Sequence, residues 1–414
     1  MKQLVQIDNV AMKQSSYKDF VSMPHQVMFS LGAIQAVMVM VWWLIDIAGR
    51  FGNFYAPIIW TIPPNWAHLY LMIFGLFPPY MFGFLMTTYP KWMSGKPVAS
   101  EHYLPAALLL TVGTFLTYLG LIISKTLLIF SIVTFLLGWA MALYALLRVY
   151  VEAQKPDVLH ARITTGVLII GFSLLLVYLL GLIINSDYLI VIARNGGIWW
   201  FLFPVFIAVS HRLIPFFSSV VIPNYMATRP SWALWVLVFG GIIHGVFGIV
   251  DLTKITWVVD FPMGAISLWL SYRWLTRKVF DIRILSMLHI SFIWVGISLF
   301  LFGIQSLIFW VGNGIVIGKA PLHALLVGYF SSMLIAMATR VTLGHSGRPL
   351  VADQSAWLIY LTVQAAALVR VLADIIVAPM FAGHLYLCSA LLWLLAFGCW
   401  LIKFSPIFWA SSKE

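Results

Sequence analysis

Long apolar stretches separated by short polar connections run through almost the whole chain. Each stretch holds about 20 predominantly apolar residues, the length of an α-helix that crosses a bilayer. They predict twelve helices, at 27–47, 66–89, 103–123, 127–149, 163–184, 196–218, 231–250, 255–274, 286–310, 321–340, 356–378 and 383–403. The predicted fold class is therefore all-α, a polytopic membrane helix bundle with about twelve transmembrane helices.

The connections are short, and none is rich in charge, serine or proline. We therefore predict one membrane domain at 25–404, a polar cytoplasmic lead-in at 1–24 and a short tail at 405–414. The lead-in lacks the pattern of a cleaved signal peptide, so the amino terminus is expected to be retained. The connections 51–64 and 185–195 are long enough to hold a short outer helix. Segments 87–97 and 339–349 resemble each other weakly, which suggests two related halves.

Composition excludes a water-soluble fold, because 62% of the residues are hydrophobic and only 9% are charged. No phosphate-binding loop, serine triad or His-Glu-Xaa-Xaa-His motif occurs, so nucleotide-driven transport and proteolysis are unsupported. Cys388 and Cys399 are about 16 Å apart along one predicted helix, too far to bond with each other. No Cys-Xaa-Xaa-Cys-His motif is present to attach haem covalently.

Basic residues predict the orientation in the membrane. Of the 24 Lys and Arg residues, eighteen fall on the side of the amino terminus, and Arg370 lies within a helix. The five on the other side are Arg50, Lys125, Arg194, Lys254 and Lys319. Cytoplasmic loops attract positive charge, so both termini are predicted to be cytoplasmic. The net charge of +11 then follows from topology and requires no nucleic acid. Asp374 stands four residues after Arg370, which predicts an ion pair within one helix.

The tenth predicted helix carries the most polar chemistry. His323 lies near its start, Arg340 near its end, and His345 and Arg348 in the turn that follows. The distance from His323 to His345 is about 33 Å along a helix, so these two histidines belong to opposite membrane faces. Unpaired ionisable groups cost several kcal/mol at membrane depth, so they imply partners inside the bundle. We interpret this helix as one wall of a cofactor site.

Sorting by depth divides the histidines into two groups. The outer group is His68, His244 and His323, with His384 at the outer surface. The inner group is His25, His211, His289 and His345, accompanied by Arg212, Arg340 and Arg348. His102 and His160 fall in inner loops, where solvated side chains are expected.

Two outer histidines at matched depth suit the axial positions of haem iron. Glycines follow both and surround His244, which would let a macrocycle approach the backbone. We predict His68 and His323 as ligands of a non-covalent, b-type haem, with His244 as the substitute. Interhelical hydrogen bonding by each histidine is the alternative. Three imidazoles would equally suit copper.

The inner group gives two conflicting signals. Imidazole coordination of copper would suit His211, His289 and His345, with His25 as a fourth ligand. Arginines nearby argue instead for an anion, because guanidinium groups pair with carboxylates in a forked geometry. We predict contact of Arg340 and Arg348 with an anion or a haem propionate, and retain copper at the histidines as a second prediction.

Several motifs resemble the NnrS family of membrane proteins. The most specific are Pro321-Leu322-His323-Ala324-Leu325 with Gly328, and Thr339-Arg340-Val341-Thr342-Leu343-Gly344-His345-Ser346-Gly347-Arg348-Pro349. Three further stretches add to the resemblance. They are Trp66-Ala67-His68 through Tyr89-Pro90-Lys91 to Pro97, His211-Arg212-Leu213-Ile214-Pro215-Phe216-Phe217, and Leu288-His289. The resemblance covers about residues 20 to 400.

The resemblance implies a twelve-helix protein of the bacterial inner membrane that contains haem and copper. It also implies a role in nitric oxide metabolism, denitrification and nitrosative stress resistance, with a gaseous ligand such as nitric oxide. Members are distantly similar to the catalytic subunit of haem-copper oxidases. Whether the chain turns nitric oxide over, binds it or protects other metal centres stays open. The alternatives are an oxidase-like redox enzyme and a transporter of a small solute or metal.

Overall fold

The computed structural model describes residues 17–154, 159–312, 316–375 and 379–409. Within these ranges the chain forms twelve long helices and no strand. They are α1 Pro24–Arg50, α2 Pro64–Met93, α3 Ser100–Ile123, α4 Lys125–Val151, α5 Leu159–Ile184, α6 Asp187–Val221, α7 Ser231–Ile249, α8 Trp257–Trp274, α9 Arg283–Val311, α10 Ala320–Gly344, α11 Gln354–Ile375 and α12 Pro379–Trp409. Short helical turns lie at Tyr17–Phe20, Thr253–Ile255 and Arg277–Val279.

The predicted all-α membrane bundle is confirmed. In the described ranges, 11 helices are long and apolar enough to cross a membrane, and the remaining long helix is α8, which carries Asp260 and Arg273. Helix α6 begins nine residues earlier than predicted because the Ser186 hydroxyl caps it, accepting a hydrogen bond from the Leu189 amide at 3.4 Å. The 185–195 connection is therefore mostly helical. The connection between α1 and α2 forms no helix.

The two described ends of the chain meet at one end of the bundle. The ring of Phe20 stacks on that of Trp409, with centroids 4.0 Å apart and planes 6° from parallel. The Tyr103 hydroxyl at the start of α3 donates to the Val21 carbonyl. We call this end, where α1 begins and α12 ends, the terminal end. The other end, where α1 ends and α12 begins, is the far end.

Three helices, α2, α6 and α10, form the centre of the bundle. They are the most buried of the candidate membrane spans. One phenylalanine from each meets the other two: Phe77, Phe206 and Phe330 have ring centroids 5.6, 6.0 and 4.6 Å apart. We call these residues the Phe triad. Aromatic packing of this kind holds the three helices against one another without any polar group.

Each central helix contains a π-helical segment in its far-end half. These segments are Tyr70–Leu76, Gly197–Leu202 and Ala324–Ser331. Such segments are rare and occur frequently at functional sites. Because α2, α6 and α10 are four helices apart in the chain, the pattern repeats every four helices. The two related halves suggested by the sequence stay a prediction.

Hydroxyl and indole groups fix α10 in this centre. The Ser332 hydroxyl donates to the Ser291 hydroxyl of α9 at 2.8 Å. Indole nitrogens of α12 donate from Trp393 to Ser331 at 3.3 Å and from Trp400 to Thr339 at 2.8 Å. Interhelical hydrogen bonds satisfy polar side chains that would otherwise face hydrocarbon. They set the rotation of α10, and so the direction in which His323 and Arg340 project.

Candidate functional site

His68 lies on α2, two residues before its π-helical segment. Its imidazole stacks on the indole of Trp43, with ring centroids 3.8 Å apart and planes 18° from parallel. Its Nδ1 atom is buried and has no hydrogen-bond partner within the described part of the chain. Buried polar atoms are nearly always paired, so this nitrogen requires an explanation.

His323 lies on α10, immediately before the π-helical segment of that helix. Its Nδ1 donates a hydrogen bond to the Lys319 carbonyl at 3.0 Å, and Asp374 Oδ2 lies 3.7 Å from the same nitrogen. A neutral imidazole carries one proton, so this hydrogen bond leaves Nε2 with a free lone pair. Helix α10 thus presents a nitrogen suited to a metal.

The structure brings His68 and His323 into one polar cluster at the far end. The two imidazoles lie within electrostatic range of each other and of two shared basic groups, Lys319 and Arg370. Arg50 also acts on His68, and Arg194 acts on Lys319. We call Arg50, Arg194, Lys319 and Arg370 the far-end basic shell. Three of the five basic residues predicted outside therefore converge on one site.

Carboxylates neutralise part of this shell. Arg370 Nη1 lies 2.6 Å from Asp374 Oδ2, which confirms the predicted ion pair. The Tyr386 hydroxyl donates to the other oxygen of Asp374 at 2.8 Å. Arg50 pairs in the same manner with Asp46. Four basic groups thus face two acidic partners, which leaves the far-end cluster positively charged.

His244 occupies a separate place on α7. Its Nδ1 lies 2.6 Å from Oδ1 of Asp260, a completely buried residue of α8. Its ring packs between Trp199, at 3.8 Å, and Phe302, at 4.9 Å. The second oxygen of Asp260 is buried and has no partner among the described residues. His244 is thus held by a carboxylate that sequence reasoning did not single out, whereas His384 is exposed near the start of α12.

The glycines beside the outer histidines lie against neighbouring side chains, so the approach of a macrocycle to the backbone there stays a prediction. A Cβ atom on Gly75 would meet the amide of Gln35 at 2.9 Å. Gly328 faces the ring of Trp294, and Gly245 faces that of Trp200. Neighbouring side chains already fill the room that these glycines provide, as in ordinary close helix packing.

A second polar cluster lies at the terminal end, around His345 in the turn after α10. Its Nδ1 donates to the Val341 carbonyl at 3.0 Å, and its Nε2 accepts from the Lys91 ammonium at 2.9 Å. The His25 ring lies 5.0 Å away, centroid to centroid. Burial, together with the charge of Lys91, lowers the pKa of His345. The imidazole is therefore held neutral.

The other inner histidines have different partners. His211 Nδ1 lies 3.1 Å from His160 Nε2, and His211 Nε2 donates to the Pro230 carbonyl at 3.2 Å. His160 is thus half-buried and paired, which corrects the prediction of a solvated loop residue. His289 contacts the Ser218 hydroxyl at 3.1 Å. Across the described ranges, no three His, Cys, Asp or Glu side chains converge as they would around a metal ion.

Arg340 is buried near the terminal end of α10. Its guanidinium lies over the ring of Phe217, 3.6 Å from the centroid, and no carboxylate in the described ranges pairs with it. Arg348 is exposed in the following turn. Arg340 follows His323 by 17 positions, about 26 Å along the helix. Neither arginine can therefore touch a group bound between His68 and His323.

The family model described as NnrS protein matches residues 19–411. The chain belongs to the NnrS family. A comparison with curated proteins finds no match. The motifs that carry the NnrS resemblance lie on the central helices α2, α6 and α10, on α9 and in the turn after α10. They supply His68, His211, His323, His289 and His345.

Sequence reasoning missed several residues that contact the histidines of this chain. Trp43 and the far-end basic shell come from loops and helices far apart in the sequence, so no spacing links them. Asp260 carried a usable signal, because an acidic residue inside an apolar helix requires a buried partner. His160 lies on a helix that begins four residues earlier than predicted, and this shift moved it from loop to bundle.

Proposed function

We propose that this NnrS-family protein binds haem and copper in the bacterial inner membrane and acts in nitric oxide chemistry and nitrosative stress resistance. The observation that carries the proposal is the far-end pair of His68 and His323. The two imidazoles project from two of the three central helices, each next to a π-helical segment. Neutral histidines are common axial ligands of haem iron.

The donor chemistry of both histidines fits a metal ligand. The hydrogen bond from His323 to the Lys319 carbonyl fixes the tautomer that leaves Nε2 free. Ligating histidines usually donate their other ring N–H to a carbonyl or carboxylate, and Asp374 stands at 3.7 Å to strengthen that contact. The unpartnered, buried nitrogen of His68 gains an explanation if this residue binds iron or donates to the group that does.

The far-end basic shell fits the two propionates that haem carries. Arg50 and Arg370 already pair with carboxylates, so Lys319 and Arg194 supply the uncompensated charge. Ammonium and guanidinium groups bind carboxylates through charge-assisted hydrogen bonds. In this proposal the shell, rather than Arg340 or Arg348, holds the propionates of a haem at His68 and His323.

Haem iron held by one of the two histidines would keep a binding position for nitric oxide. The remaining work falls to residues of the chain. Trp43 covers one face of the His68 ring and limits its rotation. Asp374, held by Arg370 and Tyr386, stabilises the protonated nitrogen of His323 and orients the ring. The buried central helices keep bulk water away from the site.

Copper is proposed for the terminal end, where imidazoles occur in pairs. His345 and His25 form one pair, and His211 and His160 form the other. In the first pair, the Nε2 lone pair of His345, which a copper ion would need, accepts a hydrogen bond from the Lys91 ammonium. His289 lies in neither pair. Imidazole ligands suit copper, so we propose that copper binds at these pairs by displacing the Lys91 ammonium in the first pair and the hydrogen bond between His160 and His211 in the second.

Arg340 and Arg348 are proposed to bind an anion at the terminal end. Arg340 supports this role because its charge is buried over Phe217 without a carboxylate partner in the described ranges. A buried charge without a partner is costly, so an anion entering from this end would stabilise it.

The visible absorption spectrum of the purified protein tests the proposal. We expect a Soret band that shifts when nitric oxide is added to the reduced protein, together with copper in elemental analysis. A His25→Leu, His211→Leu double variant should lose copper and retain the haem spectrum. A correctly folded, membrane-purified protein without a Soret band would contradict the haem proposal and favour transport of a small solute.

A further inference from the structure

An apolar cavity lies between the three central helices, on the terminal-end side of the Phe triad. Its volume is about 50 Å³. Phe206 of the triad forms its far-end wall, and the other walls include Val209 of α6 with Met337 and Ala338 of α10. Every residue that lines the cavity is buried. The cavity therefore lies among buried side chains of the bundle.

The size and lining of the cavity exclude most ligands. Water would fit by volume, but a buried water needs two to four polar partners, and cavities with apolar walls stay dry. The walls are almost entirely aliphatic, aromatic or thioether groups. A charged ion would lose its hydration without compensation. A gas molecule of one or two heavy atoms remains the class that fits both volume and polarity.

Tyr80 supplies the single hydroxyl among the cavity residues. The side chain is 2% exposed, and its oxygen has no hydrogen-bond partner within the described ranges. The ring is held in place by the rings of Phe29 and Trp400, whose centroids lie 5.3 and 6.3 Å away. It also packs directly against Gly32, which has no side chain. A buried hydroxyl without an acceptor is unfavourable, so it favours a ligand that offers one.

We propose that this cavity is a binding site for a diatomic gas with a weakly accepting atom, such as nitric oxide or dioxygen. The apolar walls bind the molecule, and the Tyr80 hydroxyl donates to it. Tyr80 follows His68 by 12 positions, about 18 Å along α2, so this site is distinct from the proposed haem ligands. Assigning nitric oxide as the natural ligand rests on the proposed function, whereas gas binding itself does not.

Xenon and dioxygen test the site in the full-length protein, with or without haem. Xenon-pressurised crystals should show an anomalous peak among Val209, Met337 and Ala338. Ala338→Leu fills the cavity and should abolish the peak, and Met337→Phe serves as a second filling variant if the first misfolds. Wild-type crystals without the peak, or a peak retained in a folded filling variant, would overturn the proposal.

Dioxygen is paramagnetic and reports its position through the methyl groups of labelled methionines. Met81, Met333 and Met337 line the cavity, whereas Met287 is equally buried elsewhere. We expect methyl relaxation under dioxygen to rise at least threefold more at Met333 and Met337 than at Met287. Tyr80→Phe should reduce this enhancement and leave xenon occupancy unchanged. Equal enhancement at all four methionines refutes gas binding, and an unaltered Tyr80→Phe response refutes the role of the hydroxyl.

Discussion

The imidazole of His68 lies face to face with the indole of Trp43, 3.8 Å between centroids, and its Nδ1 is buried without a partner in the described ranges. The stack fixes the ring, and the missing partner leaves one of its nitrogens available. The same side chain lies within electrostatic range of His323, Lys319, Arg370 and Arg50. A rigid imidazole within a positively charged shell is suited to hold an anionic, metal-containing group.

The far-end basic shell should control how firmly haem is retained. Arg194→Gln and Lys319→Gln each remove a charge that forms no ion pair with a carboxylate of its own in the described ranges, so we expect at least a threefold faster loss of haem to apomyoglobin. Lys125→Gln is the matched control, because Lys125 lies on the same predicted side but contacts Asn185. A haem loss rate in both shell variants equal to that of the control would disprove the role of the shell.

The contact between His244 and Asp260 should contribute strongly to the free energy of unfolding. His244→Leu leaves the fully buried Asp260 without a partner, so we expect about 3–5 kcal/mol of destabilisation. The double variant His244→Leu, Asp260→Leu replaces the pair with apolar groups and should recover most of that loss. Denaturation in mixed detergent micelles measures the free energy of unfolding of each variant in this double-mutant cycle. Additive losses in the double variant would show that the two residues act independently.

His345 should make stability depend on pH at the terminal end. Its pKa is lowered by burial and by Lys91, and His25 lies in contact, so the folded protein binds fewer protons there than the unfolded chain. The stability that His345 contributes is fully present above the ordinary histidine pKa of about 6.5. It is lost as the pH falls through the lower pKa of the folded protein.

Unfolding curves between pH 7.5 and 5 provide the measurement. His345→Gln should flatten the loss of stability on acidification, and Lys91→Gln should flatten it partly, since it removes the charge but keeps a donor. If His345→Gln loses stability as steeply as the wild type, the ring does not control this dependence.

The orientation of the bundle is a prediction of the charge distribution. Reporter fusions after Gly95, Tyr225 and Leu350 should report the cytoplasm, and those after Tyr55 and Gly318 the outside. The stacking of Phe20 on Trp409 already requires both described ends of the chain to share one side. Two consecutive fusions on the wrong side would reverse the assignment of the far-end cluster to the outer face.

Sequence reasoning predicted the helices well because bilayer thickness sets their length. The twelve predicted spans and the twelve helices differ mainly at their ends, as in α6, where the cap at Ser186 adds residues. The ion pair of Arg370 and Asp374 was predictable because both residues lie on one face of one helix. Local periodicity contains this information.

Contacts between helices were much harder to predict. Depth alone grouped His211, His289 and His345, but rotation about the helix axes gives each a different partner. The π-helical segments left no mark in the hydrophobic pattern, although they flank both His68 and His323. Depth did place these two histidines together correctly, because their helices run in the same direction.

Haem content of His68→Leu and His323→Leu, purified beside wild type, tests the central claim most directly. Leucine is similar in size to histidine and compatible with the membrane interior, but it lacks the nitrogen lone pairs that bind a metal. His102→Leu is the control, because His102 lies at the terminal end and contacts Arg148. We predict folded, monodisperse variants with haem per protein reduced at least fivefold for His323→Leu and reduced or spectrally altered for His68→Leu. Haem content and spectrum equal to wild type in both variants would contradict ligation at this site.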